Sequence, residues 1–412
     1  MIFILRFLSD IFWNIKPINI LTNFALLVLI VVLTIQNRAK IGKYVLTPLF
    51  AIGFFSLILL LSFYRNPTSE TGIILFKIIL SFVIFYYGAI YDKNPSKLIF
   101  TIAKVSCAFI VFNMILSFTP YAYQRWGTIT TFSGLYYFKT DMALALVVFL
   151  AFVLASDQMN IWLKIMSIVF AAYLVYLTNA RIHILTIFIV IGCWLYGERL
   201  FINIKRKILY LVPIGIVGFI SLVIILNSIG DDNILKIEIS TGNVYNDANL
   251  QGRNQIWNVL ISKYQAATTY DQLFGMGLNA DATLTVGNLE TNASHNAHNG
   301  YIFLLIATGF VGLSSFFVIL WLFAKRFFLI TDNYSTIIKE RTTRIVVHPV
   351  LYLFFVNTLI FLVASLTNSA IMFQQQTWFF LFFAGYLFNF RFNSYLSKRK
   401  NEITHKRDLV NI

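Results

Sequence analysis

At 412 residues, 58% hydrophobic and only 12% charged, this chain carries more apolar surface than a water-soluble fold can bury, so the solvent for most of it is lipid. A net charge of +15 would suggest nucleic acid in a soluble protein, but the Lys and Arg residues cluster in short stretches between apolar runs, as the positive-inside rule describes, and no nucleic-acid partner is implied. The two cysteines, Cys107 and Cys193, each lie inside an apolar run, away from any second Cys or His, which argues against a disulfide framework or a zinc site.

Met1 to Leu5 is apolar at once, with no basic region and cleavage site of the signal-peptide kind, so a cleaved leader is not expected. The segment from Ile2 to Ile15 is amphipathic and interrupted by Arg6 and Asp10, and reads either as a short membrane segment or as an interfacial helix. Apolar runs then predict spans near 19–36, 44–63, 72–91, 98–118, 141–156, 161–178, 183–198 and 208–228, and after a large loop near 300–324, 346–366 and 375–390. The expected fold is an all-α integral membrane protein of 11–12 transmembrane helices with one large, partly helical periplasmic loop. Residues 1–228 hold the N-terminal spans, 229–299 the loop, 300–392 the C-terminal spans and 393–412 a basic cytoplasmic tail. No internal repeat, low-complexity tract or heptad array is visible.

Orientation follows from the basic loops. Lys205, Arg206 and Lys207, then Lys325 through Arg344, then Arg391 through Arg407 all fall on one side by alternation, together with Arg38, Lys40 and Lys43. That side is cytoplasmic, and the loop at 229–299 is outside. Its own charge agrees, because Asp231, Asp232, Glu238, Asp247, Asp271, Asp281 and Glu290 outnumber Lys236, Arg253 and Lys263.

The loop is too apolar to be disordered. Ile256, Trp257, Leu260, Ile261 and Tyr264 recur at helical spacing and predict an amphipathic helix. Gly252-Arg253-Asn254 precedes it, and Gly275-Met276-Gly277 follows, two glycines that permit a tight backbone path beside a ligand. The loop closes with Ser294-His295-Asn296-Ala297-His298-Asn299-Gly300 at the membrane surface. A helix N-terminus disfavours protonated imidazole, so His298 at that place would be neutral and able to accept a proton. The competing reading is that His-Asn caps the span, Asn299 being a preferred cap residue. His295 reads as a bystander.

Arg125, Arg181 and Arg253 fall on the same outer side. Each alone could snorkel to headgroups, but guanidinium forks suit phosphate oxygens, and several on one face of a hydrophobic cavity would bind a lipid-linked pyrophosphate. Arg181 enters a membrane segment, where an arginine is costly. Lys139 and Asp141 flank the start of a span and either pair with each other or, through Lys139, add to the anion site. Gln374, Gln375 and Gln376 at the outer end of the last span could meet sugar hydroxyls or serve as caps. There is no Walker loop, dinucleotide fingerprint, His-Glu-x-x-His or Gly-x-Ser-x-Gly, and the outer loop offers no dense acidic cluster that would demand a divalent metal.

These features resemble the O-antigen ligase and O-antigen polymerase (Wzy) superfamily of bacterial surface polysaccharide enzymes. The resemblance lies in His298-Asn299, nine residues, Gly309, two residues and Gly312. It extends to Gly252-Arg253 with Trp257, to Gly275-x-Gly277, and to Thr178-Asn179-Ala180-Arg181, where Asn179-Ala180 replaces a more usual Ser-containing step. It implies a GT-C-like glycosyltransferase in the bacterial inner membrane with its site facing the periplasm, using no metal or other cofactor. Its partners would be an undecaprenyl-pyrophosphate-linked glycan, membrane lipids and a chain-length regulator protein. In those terms His298 would be the base or acceptor-orienting group, Arg181 and Arg253 would hold the pyrophosphate, and Arg125, Lys139, Asn299, Gly275, Gly277 and Trp257 would line the substrate site. The reaction expected first is polymerisation of lipid-linked repeat units; transfer of finished polymer to lipid A core is the alternative. A transporter for the same lipid is the reading from a different class, and such proteins commonly show the internal repeats that this chain lacks.

Overall fold

Hydrocarbon offers the backbone no hydrogen-bond partner, so a chain in lipid must pair its own N–H and C=O groups, and the apolar runs do so as helices. The computed structural model describes residues 16–37, 43–91, 94–126, 129–136, 138–196, 253–286, 296–338, 347–366, 368 and 370–389, with Phe3, Arg6, Phe201 and Ile204. The span expected at 208–228, loop residues 229–252, His295, the tail and most of Ile2–Ile15 lie outside them.

Helices α1 (Lys16–Gln36), α2 (Leu46–Arg65), α3 (Ser69–Ile90) and α4 (Pro95–Leu116) come first, followed by a hairpin of β1 (Tyr123–Trp126) and β2 (Ile129–Phe132). Then come α5 (Lys139–Ala155), α6 (Ile161–Leu177) and α7 (Arg181–Tyr196). The loop contributes α8 (Arg253–Gln265), α9 (Thr269–Phe274) and α10 (Ala280–Thr285), and α11 (Gly300–Ile338), α12 (Val347–Ser365) and α13 (Gln374–Leu387) return to the bundle. By length and composition α2, α3, α4 and the stretch Gly300–Asp332 of α11 can cross a membrane, and shorter apolar helices at Leu21–Leu33, Ile161–Leu177, Ile182–Tyr196 and Pro349–Ser365 accompany them. This is an all-α integral membrane protein, with helix boundaries close to those the apolar runs predict.

Local chemistry sets the helix ends. The Thr68 hydroxyl accepts the Thr71 N–H at 3.2 Å while the Thr71 hydroxyl accepts the Thr68 N–H at 2.9 Å, a reciprocal cap that starts α3. Asn94 caps α4 ahead of Pro95, whose missing N–H costs nothing in the first turn. α5 is the central post: every residue from Met142 to Ala155 is buried, against α4, α6, α7 and α12. A helix apolar on all sides can be stable only in such a position.

α3 and α13 cross closely because glycines leave room. A Cβ at Gly385 would run into the Phe85 carbonyl, and one at Gly88 into the Phe382 carbonyl. Gly385→Leu is expected to push these helices apart at a cost of about 1–3 kcal/mol. The check is thermal unfolding in detergent; a wild-type melting curve would rule out the close crossing.

Near the N-terminus Phe3 stacks on Phe379 at 4.9 Å, and the Arg6 Nε donates to Gln374 Oε1 at 3.1 Å, so these two side chains pack along α13. Gln374 and Gln376, expected at the outer end of the last span, are buried inside the bundle. Gln376 Nε2 donates to the Asn357 carbonyl at 3.0 Å. The hairpin was not foreseen from sequence: its strands are too short for alternation to register.

Candidate active site

α11 is two helices in series, broken where Gly309 adopts φ +68°. A break in an α-helix strips partners from nearby carbonyls and N–H groups, which inside a membrane must be replaced. The loop replaces them. Met276 N–H donates to the Ile306 carbonyl at 2.8 Å and Gly277 N–H to the Ala307 carbonyl at 3.3 Å, and the Ser62 hydroxyl adds a second bond to Ala307 at 2.6 Å. Behind the same turn the Tyr264 hydroxyl donates to the Gln272 carbonyl at 2.6 Å, tying α8 to α9.

This arrangement explains three glycines together. A Cβ on Gly309 would strike the Leu273 carbonyl and the Gly275 nitrogen, and a Cβ on Gly275 (φ +84°) would strike the Ala307 carbonyl. The tight path at Gly275 is therefore an approach to the span's own backbone, while Gly277 passes against Ser62 and Arg65 at the end of α2. Gly309 admits the loop; Gly312 faces the Thr308 side chain and Ile58 of α2. At the end of α2, Arg65 fastens the same turn. It pairs with Asp271 at 2.7 Å, donates to the Gly275 carbonyl and lies 4.4 Å over the Tyr270 ring.

The junction at His298 is built just as closely. Asp281 on α10 accepts the Ala297 N–H at 2.8 Å, and Trp257 on α8 donates its indole N–H to the Ala297 carbonyl at 2.7 Å. His298 follows with φ +46°, a left-handed conformation that costs a non-glycine residue roughly 1–2 kcal/mol. Asn299 then caps α11, its Oδ1 accepting from Tyr301 and Ile302 at 2.9 and 3.1 Å, while its Nδ2 donates to the Leu366 carbonyl at 3.1 Å. The cap role weighed for Asn299 is thus filled, and His298 is held half-buried between the loop helices, α11 and the end of α12.

Arg253 opens α8 one turn before Trp257, on the same helix face and about 6 Å further along the axis. Its side chain is largely withdrawn from water, and that burial lowers its pKa. Among the described residues no carboxylate or carbonyl pairs with it. A desolvated cation without a counter-ion favours an incoming anion strongly.

The other expected residues enter the same face at separate element ends. α2 finishes against the loop, and alternation of the helices then puts the hairpin and the starts of α5 and α7 on that side. Arg125 is exposed on β1, Lys139 begins α5, and Arg181 begins α7 after Asn179 in a left-handed conformation. The structure therefore gathers Trp257, Ala297, His298 and Asn299, with Arg253 joined to them through α8. Asp281, Tyr264 and Arg65 were missed as site-building residues. Asp281 lies between two alanines, which marks a carboxylate set among packing positions, and that was the available signal.

The fold defines a multi-pass membrane protein in which a folded helical loop docks on a broken span beside His298 and Arg253. Residues 166–317 match a family model described as O-antigen ligase. The matched stretch contains Arg181, Arg253, Trp257, both loop glycines, His298, Gly309 and Gly312, and it is consistent with the O-antigen ligase/polymerase superfamily, whose members are membrane enzymes of polysaccharide assembly. A search of curated proteins finds no match.

Proposed function

We propose that this protein is a polymerase that joins undecaprenyl-pyrophosphate-linked oligosaccharide units into O-antigen, capsule or a related surface polysaccharide. The observation that carries the reading is Arg253: a guanidinium shielded from water, without a protein counter-ion among the described residues, on the helix that grips the His298 peptide. Arg253 and Arg181 hold the donor pyrophosphate on the periplasmic face of the inner membrane, with Lys139 and Arg125 adding positive potential at its rim. An acceptor hydroxyl attacks the anomeric carbon, the bond from that carbon to the phosphate oxygen breaks, and the electron pair leaves with the pyrophosphate. His298 receives or orients the hydroxyl proton. Fixed cations around a developing anionic leaving group are the largest lever on such a step, and a positioned base adds about 10²–10⁴-fold.

The family description favours a second reading, transfer of finished polymer to lipid A core. A clean deletion strain separates the two. Core bearing a single repeat unit is the result expected of a lost polymerase, whereas accumulated long lipid-linked polymer belongs to a lost ligase. Purified protein in vesicles without any gradient should elongate lipid-linked repeats; movement of the lipid without elongation would make it a transporter instead.

Arg181→Lys tests the phosphate role directly. Lysine keeps the charge but loses the two-pronged geometry, so elongation is expected to fall at least about tenfold. A mild effect would mean that Arg181 serves only to snorkel.

A further inference from the structure

We infer that Asp281 is a positioning residue for His298, acting through Ala297, which it and Trp257 hold by the two successive peptides on either side of that residue. This rests on the reading of His298 as the group that meets the acceptor hydroxyl.

Ala297, the residue before His298, is held on both sides. Its N–H, in the peptide from Asn296, donates to Asp281 Oδ2 at 2.8 Å, and its carbonyl, in the peptide to His298, accepts the Trp257 indole N–H at 2.7 Å. Asp281 is 3% exposed. Among the described residues it has no cationic partner. Burial therefore works against its charge and pushes its pKa up, with nearby backbone N–H groups, that of Ala297 first, offsetting part of that.

A carboxylate without a counter-ion is a costly way to tie a short helix to a loop, because a neutral Asn or Ser could take one N–H. What the carboxylate supplies is a charge-assisted bond, roughly twice as strong as a neutral one, hence a stiffer mount. The mount lies next to the one histidine among the described residues with positive φ. On its other side the Asn299 cap and the Leu366 carbonyl fix the following residue. A residue in a left-handed conformation persists only where its surroundings over-determine it; here the preceding carbonyl is held by Trp257 and the following side chain by the α11 cap and the Leu366 carbonyl. Trp257 serves in the same assembly, since its indole N–H is spent on Ala297 and its helix carries Arg253. One clamp thus sets the position of the acceptor-side group relative to the donor-side cation, which is the geometry that an in-line displacement requires.

The test is steady-state kinetics of the full chain in lipid nanodiscs with a lipid-linked repeat unit, comparing wild type, Asp281→Asn, Trp257→Phe and His298→Ala. Misplacing a reacting group by about an ångström costs on the order of 100-fold. Asp281→Asn is expected to lower kcat about 10–100-fold and Trp257→Phe about 3–10-fold, both with the donor KM within about threefold of wild type, because the clamp does not touch the donor. Trp257→Phe keeps the ring and loses only the N–H, so it carries the test if Asp281→Asn fails to assemble. Wild-type kcat in both variants, or a raised KM at unchanged kcat, overturns the proposal provided His298→Ala is inactive. An active His298→Ala overturns the underlying reading instead, whatever the clamp variants do.

Discussion

Arg253→Ala and His298→Ala should each reduce polymer ladders at the cell surface at least about 100-fold while leaving the protein in the membrane at near-normal levels. For Arg253 the reason is electrostatic. The side chain is largely out of water with no counter-charge among the described residues, so removing it relieves a cost to the resting protein and takes its benefit only from the bound anion. Alanine should therefore hold or raise the melting temperature while activity collapses. Arg253→Lys should fall between the two, retaining charge without the fork. For His298 the left-handed backbone limits the interpretation of alanine, so His298→Asn is the better companion, since Asn tolerates that conformation. Loss of activity with His298→Asn isolates the imidazole. Wild-type ladders from Arg253→Ala and His298→Asn together would remove this face as the reaction site.

Gly309→Ala should be the most damaging change to the fold. Its backbone, φ +68° and ψ −172°, lies in a region essentially reserved for glycine and costs alanine roughly 1–3 kcal/mol, and the added methyl would strike the Leu273 carbonyl and Gly275 nitrogen for about 1–3 kcal/mol more. The loss does not end there. If α11 straightens, the Ile306 and Ala307 carbonyls return to their own helix, and Met276 N–H, Gly277 N–H and the Ser62 hydroxyl lose their acceptors together. The expected result is a large drop in folded yield, with proteolysis entering at the loop while the bundle survives. Gly312→Ala should be milder, because the neighbour it crowds is chiefly the Thr308 side chain. Equal protease resistance in Gly309→Ala and wild type would refute the docking of the loop on the kink.

The spans were legible because a lipid solvent demands long apolar runs, and their observed ends fall close to the runs, from Leu46–Arg65 to Val347–Ser365. The amphipathic helix over Arg253–Gln265 was legible for the related reason that periodicity survives even in a small helix. The chemistry of the junction was half legible. His298 and Asn299 stood out by place, and the structure gives Asn299 the capping role. The function of the glycines was not legible, since a glycine that admits a ligand and one that admits another part of the chain look alike in sequence. Asp281 was marked in sequence only by its two flanking alanines: its partner is a main-chain N–H, which every residue carries, so no second residue type announces the pair. The buried Gln374 and Gln376 show the same limit, as their partners depend on how α13 sits against Arg6 and α12.

The kink in α11 also dictates an order of assembly. The loop precedes in the chain the span whose carbonyls it needs, and its other anchor, Ser62 to Asn66, is made far earlier. While residues 253–286 emerge, the groups that will receive Met276 and Gly277 have not yet been synthesised. The loop therefore cannot complete its docking until residues 300–309 have followed and α11 has broken at Gly309. A chain interrupted before that point holds the loop helices without the carbonyls that receive them.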